Sequence, residues 1–390
     1  MKFSIIYEAQ LTDTSRVSEY QMFQDMVEQV QFAEKMGFDT IWAVEHHALT
    51  QYAHMSSSET FLAFIAGKTE RIGIGHGVVC LPPKMNHPIK VAERIGMLDI
   101  LSKGRVHFGI GKGGTQTEAG AFGYDLAELG EAVEEATYLI PKLMTEQFVE
   151  HYGKHVTIPG RAIWPKPYQD PHPPIYMACS REDSLRTAGS RGIGALVMGF
   201  SGPDEIARKN VIYRESFRDR QASDQVGFRP TEHLAALCPT IVLDDREQAR
   251  RIGLRGQRFF IEAINHFYAG GPAPVVDDDL SAEEQLAAIK DHREVMISHL
   301  GDEKIELTAA QLSDLDASQY GVELDAYGTV ENATRYVQRL IDAGADEILF
   351  LMQMGTVPHR AIMETIENIG NHVIPALRDG AANKPICVLA

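Results

Sequence analysis

Short, unbroken apolar runs alternate along this chain with stretches in which apolar residues return every three or four positions. Residues 3–7 form the first run, and its lack of polar alternation predicts a strand buried on both faces. Phe23, Met26, Val27, Val30, Ala33 and Met36 then share one face at helical spacing, and Gly37 supplies a stop. Residues 39–44 form the next apolar run. Strand, helix and strand joined by short connections imply a parallel sheet. The same alternation predicts helices over 56–68, 88–101 and 129–144, and strands over 71–81, 105–110, 175–178, 195–199, 234–243 and 347–352. Eight strands interleaved with helices favour a closed (β/α)8 TIM barrel over an open doubly wound sheet.

Two stretches break the rhythm. Residues 148–174 are Pro-rich and predict an irregular excursion over the surface. Residues 269–328 carry GGPAPVVDDDLS and DLDASQYGVELDAYG between weak helices. Such an insertion near the C-terminal face of the barrel is equally well a mobile lid or a surface decoration. No composition break resembles a linker, so residues 1–390 are expected to form one domain.

Composition narrows the class. With 44% hydrophobic and 23% charged residues, the chain has the mix of an ordinary globular protein. Its formal charge of -17 argues against general affinity for nucleic acid or anionic membranes. The N-terminal apolar run is too short for a signal peptide, and no run of eighteen apolar residues predicts a membrane span. Cys80, Cys179, Cys238 and Cys387 are scattered without CxxC spacing, which fits a reducing cytoplasm.

In a barrel of this type, chemistry gathers where the strands end. The second strand ends Glu45-His46-His47, either acid–base groups or a hydrogen-bonded interior histidine beside a solvated one. A metal is not expected, because the first strand ends Ile6-Tyr7-Glu8 and no HExxH occurs. Gly73, Gly75 and Gly77 alternate in the third strand and suggest close approach of a planar group, or else a crowded barrel interior. The fourth strand leads into Gly109-Ile110-Gly111-Lys112-Gly113-Gly114. Its match to GxGxxG is a weak dinucleotide signal, and a glycine turn with one Lys beside an anionic group is more economical. Ala178-Cys179-Ser180-Arg181-Glu182-Asp183-Ser184 opens a helix and offers a phosphate site, or plain capping by Ser180 or Asp183.

Taken together, these segments resemble the bacterial luciferase-like flavin monooxygenases. The likeness rests on FDTIWAVEHH, on RIGIGHGVVCLPPKMNHPIKVAERIGMLDILSKGRVHFGIGKGG, on PPIYMACSREDSLRTAGSRGIG and on GTVENATRYVQRLIDAGADEILFLMQMG. It implies that His46 is the flavin-site histidine, acting as a base or stabilising a peroxyflavin, with Glu45 beside it. It implies a cis peptide at Gly77-Val78 against the flavin ring, Lys112 near the cofactor, and a phosphate turn of Cys179, Ser180, Arg181 and Ser184. Gly111 stands where the light-emitting subunit has a reactive cysteine, so light emission is not expected.

The resemblance further implies reduced FMN (FMNH2) delivered by a separate NAD(P)H:flavin reductase, O2 as co-substrate, a small organic substrate, and a homodimer. Tyr7, Met198 and Phe200 are candidates for the substrate pocket. Two other readings stay open: a deazaflavin (F420)-dependent hydride-transfer oxidoreductase, and a non-catalytic flavin-binding partner subunit.

Overall fold

The computed structural model describes residues 1–198, 202–277, 279–289, 291 and 326–382. Its first half runs β1 (Lys2–Tyr7), α1 (Arg16–Lys35), β2 (Thr40–Ala43), α2 (Ser58–Ala66), β3 (Gly73–Cys80), α3 (Pro88–Leu101), β4 (Val106–Gly111), α4 (Gln116–Ala121) and α5 (Leu129–Thr145). A hairpin of β5 (Val149–Tyr152) and β6 (Thr157–Arg161) follows, then β7 (Ile175–Cys179), α6 (Glu182–Ser190), β8 (Gly194–Val197) and α7 (Pro203–Arg218). The chain continues through β9 (Leu234–Val242), α8 (Arg246–Ala269), β10 (Ala326–Gly328), α9 (Val330–Asp342), β11 (Glu347–Leu351), α10 (His359–Asn368) and α11 (Ile374–Ala382).

β1, β2, β3, β4, β7, β8, β9 and β11 pair in parallel in that order, and β11 returns to β1 with Phe3 beside Ile348. The result is a closed eight-stranded (β/α)8 barrel. The extended β9 pairs with β8 and β11 along its first half and with β10 along its second, where Tyr327 lies beside Ile241.

Inside the barrel the strands' inward residues form an aromatic and polar plug. The Trp42 indole meets Tyr176 edge-on at 5.1 Å and lies 5.7 Å from His107. Its Nε1–H donates to Glu347 Oε1 at 2.9 Å, Ser4 donates to the same oxygen at 2.5 Å, and His233 Nε2 reaches Glu347 Oε2 at 2.7 Å. Burial alone would raise the Glu347 carboxyl, but these hydrogen bonds hold it down at about 2. Outside the strands, Phe350 stacks on Phe3 at 6.4 Å and meets Phe38 edge-on at 6.1 Å. Burying such a ring fully contributes roughly 1.5–3 kcal/mol.

The third-strand glycines answer to this plug. A Cβ on Gly75 would sit 2.5 Å from the Trp42 ring, and one on Gly73 would sit 2.7 Å from Thr40 Oγ1. Gly75 is kept small by the protein's own tryptophan and Gly73 by Thr40, so these glycines answer to a crowded barrel interior. Two further expectations change. Residues 148–174 contain a regular antiparallel hairpin before an extended segment, and Gly96 of α3 lets that segment approach, since a Cβ there would meet the Pro165 carbonyl at 2.5 Å. Most of 269–328 lies outside the described residues, but its last three form β10, because Ala326–Gly328 completes the upper pairing of β9.

Candidate active site

The strand order puts the ends of β1, β2, β3, β4, β7 and β8 consecutively around the C-terminal rim. His46, three residues beyond the end of β2, is held between two carboxylates. Its Nδ1 is 2.8 Å from Glu118 Oε1, and its Nε2 is 3.8 Å from Glu8 Oε2. The Tyr52 ring lies 5.0 Å from the imidazole and in turn contacts Phe260 and Tyr268 of α8 at 5.6 and 6.4 Å.

Glu118 reaches this position because the glycine turn after β4 gives way to the short helix α4. Thr115 caps that helix, accepting from the Glu118 N–H at 3.1 Å while its hydroxyl donates to Glu118 Oε2 at 2.9 Å. The His47 N–H donates to Glu118 Oε1 at 3.2 Å. Burial raises the Glu118 carboxyl, yet these donors, led by His46, leave it below the usual carboxylate range. Burial works against the charged imidazole, but the carboxylates, Glu118 foremost, leave His46 above the ordinary histidine value. Glu8 is pushed up to about 7, chiefly by burial, and its Oε2 has no hydrogen-bond partner among the described residues.

Glu45 is buried and engaged by the protein itself. Its Oε1 accepts from Asn86 Nδ2 at 2.6 Å and meets His47 Nε2 at 2.9 Å, while its Oε2 accepts from the Cys80 N–H at 3.3 Å. Its visible work is to tie the loop after β2 to the end of β3.

The Gly77–Val78 peptide is cis. The Val78 side chain covers β4: a Cβ on Gly111 would meet Val78 Cγ2 at 2.4 Å, and one on Gly109 would meet Cγ1 at 3.0 Å. Gly111 is thus required by the packing of Val78. Beyond it, Gly113 sits at φ 76°, and a Cβ there would touch nothing nearer than Cys80 Sγ at 4.0 Å.

Lys112 and Arg181 come from neighbouring strand ends. Partial desolvation, and then the Arg181 charge, hold the Lys112 ammonium below the usual lysine range, so the two cations share one locality. At the start of α6 the Arg181 N–H donates to Ser184 Oγ at 3.1 Å, and that hydroxyl donates to the Arg181 carbonyl at 2.6 Å. The helix cap therefore falls to Ser184 and not to Ser180 or Asp183, the two residues of the capping alternative, and the Ser184 hydroxyl is already engaged. Cys179 is fully buried, with its Sγ 3.4 Å from the carbonyls of Met177 and Ser184. It faces the core, while Ser180 is exposed.

Of the pocket candidates, Tyr7 is fully buried and meets Phe61 of α2 edge-on at 6.4 Å. Alternation along β1 explains this: Ser4 points into the barrel, so Tyr7, three residues on, points out to the helices. Met198 is half-buried and follows β8 on the inward phase set by Gly194, whose absent side chain leaves room for Tyr176. Phe200 lies outside the described residues. Among the described residues no group of three or more His, Cys, Asp or Glu side chains has a geometry suited to a metal ion, and no helix is long and apolar enough to cross a membrane.

Glu8 and Glu118 are the site residues that sequence reasoning missed. For Glu118 a signal exists: Thr115-Gln116-Thr117-Glu118 has the spacing of a helix-capping motif. Glu8 carries no local signal beyond ending a strand.

The model of the luciferase-like monooxygenase family matches residues 1–347. The oxygenase component of a flavin-dependent trigonelline monooxygenase from Acinetobacter baylyi is 30% identical over 211 residues, covering 54% of this chain and 57% of that protein. The chain spans about half the length of the curated relatives it matches. Among solved structures, the oxygenating constituent of 3,6-diketocamphane monooxygenase from Pseudomonas putida, in complex with FMN, superposes with a TM-score of 0.69 at 18% identity, covering 96% of this chain and 98% of that one. A coenzyme F420-dependent tetrahydromethanopterin reductase from Methanopyrus kandleri gives a TM-score of 0.65 at 20% identity, covering 96% and 99%. At such identities the structural likeness speaks to the fold alone.

Proposed function

This chain belongs to the luciferase-like monooxygenase family, and from that premise we propose that it is a flavin-dependent monooxygenase. It would take reduced FMN from a separate flavin reductase and use molecular oxygen to oxygenate a small organic substrate. The observation that carries the reading is His46, half-buried at the strand ends between Glu118 and a Glu8 oxygen with no hydrogen-bond partner among the described residues, on the same rim as the neighbouring cations Lys112 and Arg181. The curated trigonelline relative, named as the oxygenase component of a flavin-dependent enzyme, supports both the cofactor and the reductase.

The rim fits such a cofactor. Lys112 and Arg181 would hold its phosphate, with the backbone N–H groups at the start of α6 facing the same charge. Half-buried Val78 and the open space at Gly113 would border its apolar ring system. Bound reduced flavin supplies the electrons that activate oxygen. The chain's own work is to orient the substrate, exclude water and move a proton at His46 Nε2. With Nδ1 anchored on Glu118, the neutral imidazole presents Nε2 as an acceptor.

The test is turnover of a substrate panel with FMN, a flavin reductase and NAD(P)H under isotopically labelled oxygen. Label should appear in the product, and His46→Ala should abolish product while leaving flavin bound. Wild-type product formation by His46→Ala would remove the role assigned here. A homodimer, as in the family, is part of the same proposal, and its sedimentation mass checks it.

A further inference from the structure

His46 does not act alone on the proton it handles. We infer that Glu8 is its proton partner: Glu118 anchors Nδ1, and Glu8 Oε2 receives or returns the proton carried by Nε2. This rests on the reading of His46 as the proton-handling residue of the site.

Three observations carry the assignment. Glu8 is 5% exposed, and its Oε2 has no hydrogen-bond partner among the described residues, although burying an unsatisfied carboxylate is costly. That oxygen lies 3.8 Å from His46 Nε2, just beyond hydrogen-bond contact, so a small rotation of either side chain joins them. The opposite face of the imidazole is already fixed by Glu118 at 2.8 Å, leaving Nε2 as the free nitrogen. The transfer balances simply. Protonated His46 beside ionised Glu8 becomes neutral His46 beside protonated Glu8, with Glu118 ionised throughout and the net charge of the trio unchanged.

Other groups bear on the trio. Glu45 precedes His46 on the same loop, Tyr52 packs on the imidazole ring, and Tyr268 approaches from α8. Burial keeps both tyrosines protonated, with Glu8 and Glu118 adding to the effect. The Glu45 carboxylate is engaged by Asn86, His47 and Cys80. Glu8 is therefore the carboxylate available to exchange a proton with Nε2.

The experiment is an imidazole nitrogen NMR titration of the ligand-free 390-residue protein, with His46 assigned by its loss in His46→Gln. In Glu8→Gln, which keeps the side-chain shape, the His46 titration midpoint should fall by about one pH unit, because an opposite charge at this distance is gone. Superimposable His46 curves in wild type and Glu8→Gln would overturn the assignment. If Glu8→Gln does not fold, carboxyl-carbon titration of Glu8 in the wild type decides. Two inflections, one shared with His46, are expected, and a single inflection near the ordinary glutamate value would refute the pairing. Neither measurement involves flavin, so failure of the monooxygenase reading and failure of this one are distinguishable.

Discussion

Glu347→Gln should weaken the barrel at neutral pH and lose that effect in acid. Glu347 is 1% exposed at the floor of the barrel and accepts from Trp42, Ser4 and His233. Its carboxyl falls from an ordinary 4.5 to about 2 on folding. At about 1.4 kcal/mol per pH unit, that difference corresponds to about 3 kcal/mol of stability for the ionised group. Because the folded value is the lower one, this stability is complete above about 4.5 and drains away as the pH falls towards 2. The amide keeps an acceptor for Trp42 but loses the charge that faces His233. Urea unfolding followed by circular dichroism at a series of pH values reads the difference between variant and wild type. At pH 7 the variant should be less stable by about 2–3 kcal/mol, and the gap should close between about pH 4.5 and 2. A gap of constant size across that window would show that the carboxylate's charge is not what the network stabilises.

Three further predictions follow from the packing and the rim. Gly75→Ala places a methyl 2.5 Å from the Trp42 ring and should cost about 1–3 kcal/mol, read as a lowered melting temperature; no loss would mean the plug yields easily. Lys112→Ala and Arg181→Ala should each weaken FMN binding about tenfold and leave riboflavin, which lacks the phosphate, nearly unaffected; equal losses for both flavins would deny these cations a phosphate role. Ser184→Ala removes the reciprocal cap at the start of α6 and should lower stability by about 1 kcal/mol; unchanged melting with lost FMN affinity would instead make Ser184 a ligand contact.

Much of this architecture was legible in the chain because buried parallel strands leave a blunt signature. All eight barrel strands stand out as apolar runs, since each is covered on one side by helices and on the other by the plug. The histidine at the end of β2 was equally visible by its position. What the sequence hides is contact across long separations. Glu347 and Trp42 lie 305 residues apart, and nothing local marks the glutamate as the plug's anchor. The same holds for Glu8, Glu118 and His46, which three different connections bring together. Tyr7 was misplaced for a simpler reason: in a strand buried on both faces, periodicity does not say which face is inward. The glycines of β3 fit the other reading offered for them, a crowded barrel interior, with Trp42 and Thr40 as the neighbours that keep them small.

The central claim is that the His46 rim receives reduced FMN and controls its reaction with oxygen. Anaerobic titration of the purified protein with reduced FMN, followed by stopped-flow mixing with oxygen, tests it most directly. The account predicts saturable binding at one site per chain and reoxidation distinctly slower than that of free reduced FMN, with the delay lost in His46→Ala. Absence of reduced-FMN binding, with deazaflavin bound in its place, would contradict it and assign the barrel to hydride transfer.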